Sequence, residues 1–139
     1  MSPRLNGVIE TALYVEDLPR SVEWYQRVMG FKPIFDGGDR LQAMAVADKQ
    51  VLLLFRKGAS TGVLEVPGGR IPSHDGDGHL HLAFAVDESE IPAWREHFAR
   101  ENVPVASEVK WGETGRSLYF HDPDGHVVEI ITPGFWEVY

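Results

Sequence analysis

The sequence predicts an α+β fold made of two tandem β-α-β-β-β modules, one over residues 7–55 and one over 79–132. Three observations carry this. The same order of strand, amphipathic helix and three short strands runs twice. The two runs coincide at a shift of 71, which takes Val15 to Val86 (86 − 15) and Pro33 to Pro104 (104 − 33). In the first strand of the second module, alternation leaves one greasy face for a helix to cover. Each module is therefore expected to be a curled mixed sheet with its helix outside, the two closing barrel-like around a cavity.

The elements follow in order. "GVIETALYV" (7–15) reads as a strand. "DLPRSVEWYQRVMG" reads as a helix: Asp17 can cap it, Pro19 suits its first turn, Leu18, Val22, Tyr25 and Val28 form its apolar stripe, and Gly30 can end it. "FKPIFDGGDRLQAMAVADKQVLLLF" splits into three strands at "DGGD" and "ADKQ". Residues 56–78, with six glycines and two prolines, predict a linker or mobile flap without regular structure. The pattern then restarts with the strand "HLHLAFAV" and a helix in "ESEIPAWREHFARENV" that puts Ile91, Trp94 and Phe98 on one face. Strands in "VPVASEVKW", "RSLYFHD" and "HVVEIIT" complete it.

Composition narrows the function. The chain has 139 residues, 43% of them hydrophobic, enough for one core or two half-domains sharing one. It has no cysteine, which excludes disulfides and thiolate zinc sites and leaves His, Asp and Glu as metal donors. A net charge of −8 without a basic run argues against a nucleic-acid partner. "MSPRLNG" has no apolar leader character, and no stretch approaches a membrane span, so a cytoplasmic protein with no membrane partner is expected.

The chemistry begins at Glu129, a carboxylate inside the apolar run Val127, Val128, Ile130 and Ile131. Stripping a carboxylate of water costs several kcal/mol unless something replaces its hydration. The shift of 71 also carries Glu10 onto His81, so the first strand of each module holds a ligand-type residue at the same place. Alternation sets Glu10 on a face with Ala12 and Tyr14, His81 on a face with His79, Ala83 and Ala85, and Glu129 on a face with Val127 and Ile131. If those faces line the cavity, three donors point inward and make a metal site. Each has a plain counterpart: Glu10 as an exposed strand start, His81 as a satisfied histidine, Glu129 as the partner of an arginine.

The paired modules, "YVEDLPRSVEWYQRVMGF", "HLAFAVDE" and above all "SLYFHDPDGHVVEI" resemble the glyoxalase, bleomycin-resistance and extradiol-dioxygenase superfamily, the vicinal oxygen chelate proteins. The resemblance runs from about Gly7 to Thr132, apart from residues 56–78. It implies a glyoxalase-like fold, one divalent metal (Mn, Fe, Zn, Ni or Co) on Glu10, His81 and Glu129, and a small-molecule substrate bound through adjacent oxygens. It also implies a homodimer, with Glu10 and the His81/Glu129 pair arriving from one chain or two.

This sequence departs from the family pattern at two places. Glu10 stands where many members have His, which moves the set away from the two-His, one-carboxylate triad of iron oxygenases. Leu53 stands where true glyoxalase I has a fourth ligand. The resemblance further points to Tyr119 as a hydrogen-bond donor to a metal-bound oxygen. Ser117, Tyr119 and His121 alternate on one strand face, with His121 a proton carrier, and Lys110, Arg116 and Ser117 are candidates to hold the substrate. The expected function is a metal-dependent enzyme, dioxygenase-like or lyase- and isomerase-like. The alternatives are a metal-free, drug-sequestering protein of the bleomycin-resistance kind and a regulatory module without chemistry.

Overall fold

In a computed structural model that describes residues 1–139, the first unit spans Met1–Asp77 and the second Gly78–Tyr139. The first opens with β1 (Glu10–Val15), three residues later than the apolar run suggests. Helix α1 (Leu18–Met29) follows: Asp17 accepts from the Arg20 N–H at 3.1 Å, Pro19 occupies the first turn, and Gly30 closes the helix at φ +71°, where any other residue would be strained. Its buried face keeps Leu18, Tyr25 and Val28 of the expected stripe and adds Ser21, Trp24 and Met29, while Val22 is only partly covered. Strands β2 (Lys32–Asp36), β3 (Leu41–Val46) and β4 (Gln50–Arg56) form a meander, and the sheet order is β1-β4-β3-β2, with β1 parallel to β4. Leu13, Val15, Met44, Leu52 and Leu54 are buried on one face; the other carries Glu10, Ala12 and Tyr14.

Residues 56–78 are not structureless. They contain a hairpin, β5 (Leu64–Val66) and β6 (Gly69–Ile71), and a loop tied back onto the first sheet. The His74 N–H donates to the Ser60 carbonyl at 2.9 Å, and Tyr14 Oη lies 2.7 Å from His74 Nδ1. Burial, and then the charge of Asp75, push the Tyr14 phenol up. Gly76 lies so close to the Tyr14 ring that a Cβ there would fall 2.3 Å from it. These short-range contacts hold the loop where composition alone suggests a flap.

The second unit repeats the plan. β7 (His81–Ala85) leads through a 3₁₀ turn at Glu88–Glu90 into α2 (Ile91–Arg100), then β8 (Ser107–Trp111), β9 (Gly115–His121) and β10 (Val127–Ile131). The order β7-β10-β9-β8 matches the first sheet, again with the first and last strands parallel. Val128, Ile130, Leu118 and Phe120 are fully buried on the helix side, where Phe98 of α2 meets Phe120 at 4.5 Å between ring centres. Burying such a side chain contributes roughly 1.5–3 kcal/mol, so this face holds the module together. No helix is long and apolar enough to cross a membrane.

Candidate functional site

Opposite the helix, the second sheet carries a polar row. Strand pairing sets Val127 beside both His81 and His121, and Glu129 beside both Ala83 and Tyr119, so His81, Glu129, Tyr119 and Ser117 project from one face. The repeat holds at the level of hydrogen-bonded pairs. Glu10 faces Val51 as His81 faces Val127, and Leu53, two residues on, occupies the place of Glu129. The first module thus has leucine where the second has a buried carboxylate.

Glu129 is 5% exposed and none of its partners is an arginine. Its Oε2 accepts a short hydrogen bond from Ser117 Oγ, and its Oε1 lies 3.2 Å from His81 Nε2. The other ring nitrogen of His81, Nδ1, is 2.9 Å from the Val127 carbonyl. A carbonyl only accepts, so Nδ1 carries the proton and a neutral His81 turns a lone pair from Nε2 toward a carboxylate oxygen. Two lone pairs at that separation require a positive charge between them: a proton on Nε2 or a shared cation. A spacing of 3.2 Å suits two neighbouring donors on one divalent ion, whose bonds to imidazole nitrogen and carboxylate oxygen are about 2.0–2.2 Å. The pair therefore fits a metal.

Tyr119 stacks near His81, with 6.2 Å between ring centres, and stands directly opposite Glu129 across the β9–β10 pair. Burial pushes its phenol up and the Glu129 charge adds to this, so at neutral pH it is a protonated donor. His121 is exposed at the strand end in the same row. Ser117 is fully buried and committed to Glu129. Lys110 and Arg116 pair across β8 and β9 on the opposite, helix-side face, and Arg116 is engaged by Glu108 at 3.1 Å and Glu88 at 3.5 Å. The structure does not bring these two cations to the His81–Glu129 face. Glu10 is exposed on the open face of the first sheet. No group of three or more His, Asp or Glu that could hold a metal gathers in the single chain.

Two supporting residues escaped the sequence reading. Trp111 donates its indole N–H to Ser117 Oγ at 2.8 Å. His126, almost fully buried, accepts the Leu80 N–H on Nδ1 at 2.9 Å and anchors the strand end that carries His81. It is set in turn by Asp122, whose carboxylate accepts the Asp124 and His126 N–H groups in the "DPDG" turn. The sequence signal for both was a polar group adjoining a candidate ligand's strand.

Residues 7–130 match the family model of the Glyoxalase/Bleomycin resistance protein/Dioxygenase superfamily. The chain is 37% identical over 57 residues to the metallothiol transferase FosB of Bacillus licheniformis, a match covering 40% of this chain and 37% of that protein. It is 23% identical to the fosfomycin resistance protein FosX of Listeria monocytogenes across 91% of this chain and 89% of that one. A crystal structure of lactoylglutathione lyase from Agrobacterium tumefaciens superposes with a TM-score of 0.84 at 28% identity, covering 96% of this chain and 98% of that one.

Proposed function

From the premise that this chain belongs to the Glyoxalase/Bleomycin resistance protein/Dioxygenase superfamily, we propose that it is a divalent-metal-dependent enzyme acting on a small molecule with two adjacent oxygens. Its ligands are His81 and Glu129, completed by Glu10. The observation that carries this reading is the facing pair of His81 Nε2 and Glu129 Oε1, with the imidazole Nδ1–H donated to the Val127 carbonyl.

A bound ion would supply Lewis-acid polarisation of the substrate oxygens. The protein's own residues do the rest. The Val127 carbonyl fixes the His81 tautomer. Ser117 occupies one oxygen of Glu129 and leaves the other facing His81. Tyr119, kept protonated, donates a hydrogen bond toward oxygen at the site, and His121 at the strand end carries protons to and from solvent. One imidazole with two carboxylates favours ring opening or lyase chemistry over oxygen insertion. Leu53, at the repeat position of Glu129, offers no ligand in the first module. A homodimer in which Glu10 of one protomer joins His81 and Glu129 of its partner fits the two-module plan.

The test is elemental analysis of protein purified without chelator, beside the Glu129→Gln variant, followed by assay with fosfomycin in the presence of water or a thiol and for lactoylglutathione formation. Close to one metal per chain in the wild type and none in the variant supports the proposal. A wild-type protein that is empty and refuses added metal removes it in favour of a sequestering role.

A further inference from the structure

The carboxylate of Glu129 is the end of a directed chain that begins in the C-terminal tail. An indole N–H can only donate, so the Trp111 bond to Ser117 Oγ uses the hydroxyl as an acceptor. The hydroxyl proton is thereby left to point at Glu129 Oε2. Ser117 is fully buried. The indole is held in its turn by Phe135, whose ring packs edge-on against it with 4.3 Å between centres. Gly115 makes that approach possible: a Cβ there would lie 3.0 Å from Trp111 Cβ and 3.4 Å from Phe135 Cβ. The tail is fastened by the Tyr139 hydroxyl on the Val86 carbonyl at 3.0 Å and by the Gly134 N–H on the Tyr139 carbonyl at 3.1 Å.

We infer that Trp111 and Ser117, braced by Phe135, are positioning residues that make Glu129 a one-oxygen ligand, with Oε2 held by the hydroxyl and only Oε1 presented beside His81. The inference rests on the metal reading of Glu129. Its consequence is that the tail, remote from the pair in the sequence, sets metal affinity. A carboxylate released from Ser117 can turn, so that Oε1 no longer stands ready beside His81 Nε2 and an ion would have to order it on binding. Outer groups of this kind typically change metal affinity by about 10–100-fold.

The experiment is a Mn²⁺ titration of chelator-treated, full-length protein, reading free Mn²⁺ by electron paramagnetic resonance, in the wild type and in Ser117→Ala, Ser117→Thr, Trp111→Phe, Phe135→Ala and Glu129→Gln. Glu129→Gln is expected to abolish tight binding, and Ser117→Ala and Trp111→Phe to weaken it about 10–100-fold. Phe135→Ala should weaken it less. Ser117→Thr keeps the hydroxyl and should restore wild-type affinity, which a purely packing role for Ser117 does not predict. If Ser117→Ala and Trp111→Phe bind Mn²⁺ within twofold of wild type while Glu129→Gln does not, the relay is refuted and the ligand assignment survives. If the wild type itself does not bind Mn²⁺, both fall together.

Discussion

Replacing Glu129 by leucine, the residue at the matching place in the first module, separates a carboxylate kept for chemistry from one kept for structure. In chelator, the substitution removes a buried charge and adds a leucine at a site 5% exposed, a gain of roughly 1.5–3 kcal/mol in apolar burial. Against this, Ser117 loses its acceptor inside the sheet, at about 1–3 kcal/mol. Tyr119 and His81 are exposed enough to turn to water. These contributions nearly cancel, so Glu129→Leu is expected within about 1.5 kcal/mol of wild type, and so is Glu129→Leu/Ser117→Ala, where the half-buried Trp111 N–H instead of the Ser117 hydroxyl loses its partner. With free Mn²⁺ at about a thousand times its dissociation constant, the wild type should gain about 4 kcal/mol and the variants nothing. Urea unfolding followed by circular dichroism, with chelator and with Mn²⁺, gives all of these values. A loss of more than about 3 kcal/mol in chelator would refute the reasoning, because the carboxylate would then be holding the strands together.

Three further outcomes are expected. Tyr119→Phe should keep Mn²⁺ affinity and lower turnover about 10²-fold on whichever substrate the wild type accepts, measured by steady-state kinetics; an unchanged rate makes Tyr119 a packing residue. Gly76→Ala drives a methyl into the Tyr14 ring and should destabilise by about 1–3 kcal/mol and expose residues 72–77 to limited proteolysis; an unchanged digestion pattern would show that the loop is not seated there. Arg95 holds the Glu108 carboxyl below its ordinary value of 4.5, so the stability this pair supplies is present above that pH and is lost as pH falls through the lowered value. Arg95→Ala should therefore lower the melting temperature at pH 7 and leave it unchanged once Glu108 is protonated in both proteins; an equal loss at both pH values would mean that Arg95 acts through packing alone.

The two modules were legible because each level of the sequence agrees. Asp17, Pro19 and Gly30 bound the first helix, alternation marks the strands, and the shift of 71 that takes Glu10 to His81 holds for the first strands, while their partners Val51 and Val127 on the last strands are offset by 76 (127 − 51). Glu129 announced itself as a charge among aliphatics. The hairpin at 64–71 did not, because three-residue strands around "PGG" fall below the length at which alternation is a signal. Nor did the placing of His74, which depends on a contact with Tyr14 across 60 residues. Trp111 and Ser117 meet through the β8–β9 register, which spacing along one strand cannot show. Lys110 and Arg116 are a different case. The alternation that puts Ser117 and Tyr119 on one face already puts Arg116 on the other, and charge alone made it look like a substrate clamp.

The parallel pairing of β7 with β10 also dictates when the second module acquires its chemistry. The first strand of the module pairs with its last, and the His81 ring meets the Val127 carbonyl across 46 residues. Closing a loop of that length carries an entropic penalty on the order of 3 kcal/mol, which local contacts in the helix and the β8–β9 meander do nothing to repay. Neither donor has its neighbour on a nascent chain until the final strand has left the ribosome. Ion binding to this pair would thus report the last step of folding, and a captured ion would act as the latch on the strand that completes it.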